Sequence, residues 1–134
     1  MLIKFSVTNF KTFRTKVEFS LIASNYDKTR EVENLSTSSA FGFNLLKSAV
    51  VYGANASGKS KLMEALSFMK HFVLTSSKES QKGEDINVEP FLLSTVTNDK
   101  PSEFEIIFLH KKQLFRYGFE VEPASVRSRR TEGL

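Results

Sequence analysis

The chain has no cysteine and no tryptophan, and only three prolines and six glycines in 134 residues. Without cysteine, disulfides, thiolate zinc sites and dithiol redox chemistry are excluded. Nor is there a run of the roughly eighteen apolar residues that a membrane-spanning helix needs. The opening Met1-Leu2-Ile3-Lys4-Phe5 alternates and is too short for the core of a signal peptide. A cytoplasmic protein with no membrane partner is the expectation. What is present is ordinary for a globular domain: 40% apolar and 25% charged residues, enough for one domain with a real core. The thirteen phenylalanines read as core-packing residues. The net charge of +4 owes much to Arg127, Arg129 and Arg130 near the C-terminus. Such a cluster suits either a nucleic-acid backbone or a solvated tail.

Hydrophobic periodicity divides the chain. Ile3, Phe5 and Val7 alternate with Lys4, Ser6 and Thr8, and Val17, Phe19 and Leu21 alternate with Lys16, Glu18 and Ser20. Both are half-buried strand patterns, joined as a hairpin through Asn9-Phe10-Lys11-Thr12-Phe13-Arg14. Residues 24–39 are polar and aperiodic, which predicts a surface loop with at most one helical turn. Ala49-Val50-Val51-Tyr52 reads as a short buried central strand. Leu62, Leu66, Met69 and Val73, with Met63, Ala65 and Phe72 widening the face, predict an amphipathic helix over about 57–74. A polar loop follows over 75–87. Phe104–Leu109 and Leu114–Val121 read as two strands turned by His110-Lys111-Lys112-Gln113, and residues 122–134 as an irregular basic tail. The expected class is mixed α/β.

Gly53-Ala54-Asn55-Ala56-Ser57-Gly58-Lys59-Ser60 fits G-x-x-x-x-G-K-[ST] at every fixed position. A match arises by chance about once in two hundred chains of this length, and here a strand pattern precedes it and a helix pattern follows. The two glycines let the backbone take positive φ and approach phosphates closely. The loop N–H groups and the unpaired N–H groups at the helix start then face anionic oxygens. Lys59 reaches the β- and γ-phosphates, and the Ser60 hydroxyl binds the Mg²⁺ that bridges them. Magnesium keeps several of its waters, so it needs only one or two protein oxygens. The ligand this pattern implies is ATP with Mg²⁺.

The loop GANASGKS resembles the G-x-N-G-x-G-K-S form of ABC-type ATPases of the SMC and RecF kind. The Asn9-Phe10-Lys11-Thr12-Phe13 turn and the Leu62, Ala65 and Leu66 positions agree with that group. Over roughly residues 1–121 the chain resembles the N-terminal lobe of bacterial AAA-annotated ATP-binding proteins, many of which serve in phage defence or abortive infection and are related to the OLD-type ATPases. The resemblance implies a P-loop NTPase fold of ABC-head type and two heads sandwiching ATP as a homodimer. It also implies hydrolysis in the complete protein and DNA or an effector protein as partner. Lys61 stands where the group usually has Asn, and Ala56 where Gly is commonest. Lys61 either adds charge near the phosphates or faces solvent.

An ABC-type site also needs an apolar strand ending in Asp-Glu and an L-S-G-G-x segment, and neither occurs in this sequence. This chain is therefore expected to be an N-terminal piece that binds nucleotide and hydrolyses it poorly, with no catalytic residue of its own. The resemblance places Phe10, Lys11 and Phe13 near adenine and ribose. Aromatics there either stack on the base or close the hairpin. Asn55 serves either the γ-phosphate or the loop itself. Gln113 falls in a hairpin turn, and Gln81 has no flanking pattern to fix it. His71 and His110 are isolated, and Glu103, Glu105, Glu120 and Glu122 fall at strand spacing on solvated faces. The alternative function is a non-catalytic nucleotide- or DNA-binding module. A GTPase is disfavoured, because no Asn-Lys-x-Asp segment is present.

Overall fold

A computed structural model describes residues 1–24, 31–38, 41–76, 88–93, 100–122 and 125–133. The first alternating segment forms β1, Leu2–Thr8, and the second forms β2, Val17–Ser20, paired antiparallel in the register Phe5↔Phe19 and Val7↔Val17. After the short helix α1, Glu31–Asn34, come β3, Leu35–Ser38, and β4, Phe43–Leu46, which make a separate two-stranded sheet. The helix α2 runs Lys59–Ser76, followed by β5, Ser102–His110, β6, Gln113–Glu122, and β7, Ser125–Gly133. The main sheet has five strands in the order β2-β1-β5-β6-β7, with every pairing antiparallel.

The period-2 pattern puts one side of this sheet in the core. Phe5 lies opposite Ile106, Val7 opposite Phe104, and Phe104 opposite Phe119. Against that face α2 lays Ala65, Met69 and Phe72, with Leu62, Leu66 and Phe68 partly buried beside them. Met63 and Val73, expected on the buried side, are exposed, because the contact stripe follows the positions 62, 65, 66, 69 and 72. The abundance of phenylalanine has its explanation here. The rings of Phe10, Phe68, Phe72, Phe104 and Phe119 pack in a continuous cluster with neighbouring centroids 4.2–6.3 Å apart. Offset and edge contacts at such distances add to what burial alone contributes.

Several expectations are met and several are not. The β5–β6 hairpin turns at Lys111-Lys112, as expected, with His110 opposite Gln113. Both turn residues have positive φ, 47° and 63°, the backbone that matches the twist of a two-residue hairpin. The stretch 24–39 holds its helical turn, but also β3. The hairpin it begins docks on the end of β2 through Ala23 N–H donating to Asn44 O and Leu46 N–H to Leu21 O. Residues 122–134, expected to be irregular, contain β7, paired along β6 with Glu120 opposite Arg129 and Tyr117 opposite Glu132.

The largest departure is Ala49–Tyr52. It is not a strand, and Val50, Val51 and Tyr52 are 73%, 49% and 86% exposed. Its apolar pattern suits a strand with neighbours on both sides, whereas the sheet described here is assembled from other segments. The segment 77–87, with Gln81, lies outside the described residues. Among the described residues no helix is long and apolar enough to cross a membrane.

Candidate functional site

The phosphate-loop residues lie at the start of α2. Gly53 to Ser57 and Ser60 are exposed, while Gly58 and Lys59 are half-buried. Ser57 N–H donates to Ala54 O at 3.2 Å, closing a turn, and Leu62 N–H donates to Gly58 O at 3.0 Å as the first bond of the helix. The N–H groups of the first helical turn therefore face the loop without carbonyl partners of their own, as at any helix start. Lys59 folds back over the loop, its Nζ 2.6 Å from Gly53 O, 2.6 Å from Ala54 O and 3.4 Å from Ser57 Oγ. The loop thus curls around its own ammonium group. That places a compact cation, a helix N-terminus and the Ser60 hydroxyl together on one open surface.

The two glycines are needed for different reasons. Gly58 has φ of +91°, and a Cβ there would lie 3.0 Å from Phe13 Cε1 and 3.5 Å from Thr12 Oγ1. At Gly53 φ is not positive; a Cβ would instead meet Ser57 Oγ at 2.7 Å. The second left-handed position is Ala56, with φ of +64°. An L-residue there is strained by roughly 1–2 kcal/mol, which a glycine avoids. Ala56→Gly is expected to raise the urea midpoint, gaining about 0.5–1 kcal/mol, because relief of strain outweighs the extra freedom of the unfolded chain. A lowered midpoint would show that the loop does not hold this conformation in solution. Asn55 is exposed at the bend of the loop.

The turn after β1 packs directly against this loop. Phe10 N–H donates to Phe13 O at 3.0 Å and Phe13 N–H to Phe10 O at 2.8 Å, so Lys11 and Thr12 form the tip of a tight hairpin. Asn9 anchors it from below: its φ is 51°, its side chain donates to Lys100 O at 2.8 Å, and its Oδ1 accepts from Phe91 N–H at 3.2 Å. Asparagine is the residue type that tolerates a left-handed backbone while bonding to nearby peptide groups. Of the three residues expected near the base, Phe10 is 2% exposed, its ring edge-on to Phe104, and so belongs to the core. Phe13 lies against Gly58, at the wall of the loop. Lys11 is engaged by carboxylates, its Nζ 2.7 Å from Glu64 Oε2 and 3.4 Å from Glu89 Oε2.

Glu64 also accepts from Lys61 Nζ at 2.7 Å. Lys61 therefore sits on the helix surface, paired with a carboxylate. The hydrogen bond from Lys11, with that from Lys61, holds the Glu64 carboxyl below its ordinary range, and the bond to Glu64 raises the Lys11 ammonium above its own. Sequence reasoning quoted Asn9 and Thr12 only as members of the turn, without a role, and missed Glu64. The Lys61–Glu64 spacing of three on a helix was the one local signal available. His71 and His110 are exposed and far apart in the chain, and Gln113 begins β6. Glu105 is paired with Arg116 at 2.6 Å. Among the described residues no three His, Asp or Glu side chains gather as a metal cluster.

Residues 48–133, which include the whole loop, match the family model described as AAA domain, putative AbiEii toxin, Type IV TA system. No curated protein and no solved structure matches the chain. With well over half of its length matched, and with the glycine loop at the start of α2, the chain belongs to this AAA domain family.

Proposed function

We propose that this chain binds ATP with Mg²⁺ through residues 53–60. The observation that carries the reading is the loop itself: every fixed position of G-x-x-x-x-G-K-S is present, and it opens an 18-residue helix onto which Lys59 folds back. The exposed carbonyls that Lys59 now touches are readily hydrated. Moving its ammonium onto the β- and γ-phosphate oxygens therefore exchanges neutral acceptors for charged ones, which make stronger bonds. Loop N–H groups and the helix N-terminus would receive the remaining oxygens. The exposed Ser60 hydroxyl is a hard oxygen donor of the type Mg²⁺ accepts; it would help to hold the ion, which would supply positive charge to neutralise the phosphates. Phe13 and Thr12 lie beside Gly58, and in this reading they would meet the rest of the nucleotide.

Hydrolysis belongs to the proposal in a restricted sense. The carboxylate nearest to the loop in sequence, Glu64, is committed to two lysines and is not free to polarise a water. In this reading the Asp-Glu pair and the signature segment come from outside this chain, in an ABC-type head that closes on a second head around ATP. SMC/RecF-like architecture, DNA or effector partners and a role in anti-phage defence rest on the resemblance. The family description, which names a type IV toxin–antitoxin system, is loosely in keeping with the last of these.

The reading is tested by displacement of labelled ATP from the purified chain in the presence of Mg²⁺. Inorganic triphosphate should displace it and adenosine should not, since the site described reads phosphates. Displacement by adenosine but not by triphosphate would contradict the assignment. Stronger competition by GTP than by unlabelled ATP would reject the adenine preference alone.

A further inference from the structure

The two-residue tip of the first turn carries a conformational penalty that something must offset. Lys11 has φ of 50°, a backbone that glycine or asparagine adopts more readily than lysine. What holds it is visible on all sides. Its N–H donates to Glu89 O at 2.9 Å, and its ammonium lies between the carboxylates of Glu64 and Glu89. Glu64 stands on the second turn of α2, four residues after Ser60, and is itself oriented by Lys61. The pair thus joins two segments 53 residues apart in sequence: the β1–β2 turn and the helix that begins at the phosphate loop. The next two residues, Thr12 and Phe13, lie against Gly58, where the absence of a Cβ leaves room for the ring.

From this geometry we infer that Glu64 is a positioning residue: by holding Lys11 it fixes the turn, and with it Phe13 and Thr12, against Gly58 as one wall of the phosphate site. The consequence for nucleotide affinity rests on the ATP-binding reading given above; the mechanical consequence for Phe13 does not. A carboxylate that merely neutralises a nearby lysine behaves differently. If Lys11 were a phosphate ligand restrained by Glu64, freeing it would tighten ATP binding. If the pair were a solvated surface contact, breaking it would change nothing at the site, as for most exposed ion pairs. The positioning role requires that removing either partner weakens ATP in the same way, and that removing both weakens it no further.

The test uses the whole chain carrying 4-fluorophenylalanine at position 13, as wild type, Glu64→Gln, Lys11→Met and the double variant. Glu18→Gln serves as a control, because it breaks the surface pair that Lys4 makes with Glu18 at 2.9 Å. The expected result is a displaced or broadened ¹⁹F resonance in Glu64→Gln and Lys11→Met, but not in the control. Each variant should also lose on the order of fivefold in affinity for magnesium–ATP, and the double variant no more, as a shared coupling predicts. Tighter ATP binding by Glu64→Gln, or additive losses, overturns the inference. So does an unmoved Phe13 resonance in both single variants, whatever happens to ATP. A wild-type chain that binds no ATP would count against the phosphate-loop reading alone, and the resonance would still decide the tether.

Discussion

Lys59→Ala is expected to weaken magnesium–ATP binding by roughly a hundredfold to ten-thousandfold while leaving the fold intact. The ammonium would make two charge-assisted bonds to phosphate oxygens, each contributing about 1.5–3 kcal/mol, and about 1.4 kcal/mol corresponds to a factor of ten. In the structure the same group bonds to Gly53 O and Ala54 O, both on exposed residues. Water takes the place of the ammonium there when the side chain is removed. The loss therefore falls on binding and not on stability, and the pairing of an unchanged melting temperature with a collapsed affinity is the signature to look for. A mutant affinity within threefold of wild type would mean that the phosphates are held elsewhere.

Phe104→Ala is expected to have the largest effect on stability. The Phe104 ring is 1% exposed and lies 5.3 Å from Phe10, 5.0 Å from Phe68 and 5.2 Å from Phe119. It therefore joins the first turn, the helix and the sheet. Removing a fully buried ring leaves a cavity and costs about 3–5 kcal/mol, a large share of the roughly 5–15 kcal/mol that holds a domain together. Urea unfolding measures it directly. For comparison, Phe115, which is 39% exposed and stacks only on Phe108 among the described rings, should cost markedly less on the same substitution. Equal losses at the two positions would contradict the location of the core.

The phosphate loop and Phe10 show what could be read from the sequence and what could not. The loop pattern and the helix after it are legible, because the motif fixes residue types at fixed spacing and the helix follows from a local period. The β1–β2 and β5–β6 hairpins were legible for the same reason, since alternation and turn residues are local. The role of Phe10 was not. Its neighbour Asn9 takes a left-handed backbone conformation, and Phe10 falls into the core beside Phe104. A turn aromatic and a core aromatic cannot be told apart by spacing.

The same limit explains β7 and the Ala49–Tyr52 segment, in opposite directions. Ser125–Gly133 has a single strongly apolar residue, Val126, yet it forms a strand because β6 presents an open row of backbone groups to pair with. Ala49–Tyr52 is apolar throughout, yet it is not a strand among the described elements, because strand formation needs hydrogen-bonded neighbours that sequence pattern does not supply. Glu64 was hidden for a third reason. Its bond to Lys11 spans 53 positions, and a single sequence carries no trace of such a contact.

The measurement that bears most directly on the central claim is a calorimetric titration of the purified chain with ATP, with Mg²⁺ and then with the metal chelated. A working phosphate loop predicts saturable, one-site heat that requires Mg²⁺ and is lost in Lys59→Ala. No heat from the wild-type chain at millimolar ATP, or heat that survives in Lys59→Ala, would contradict the claim that residues 53–60 hold the nucleotide.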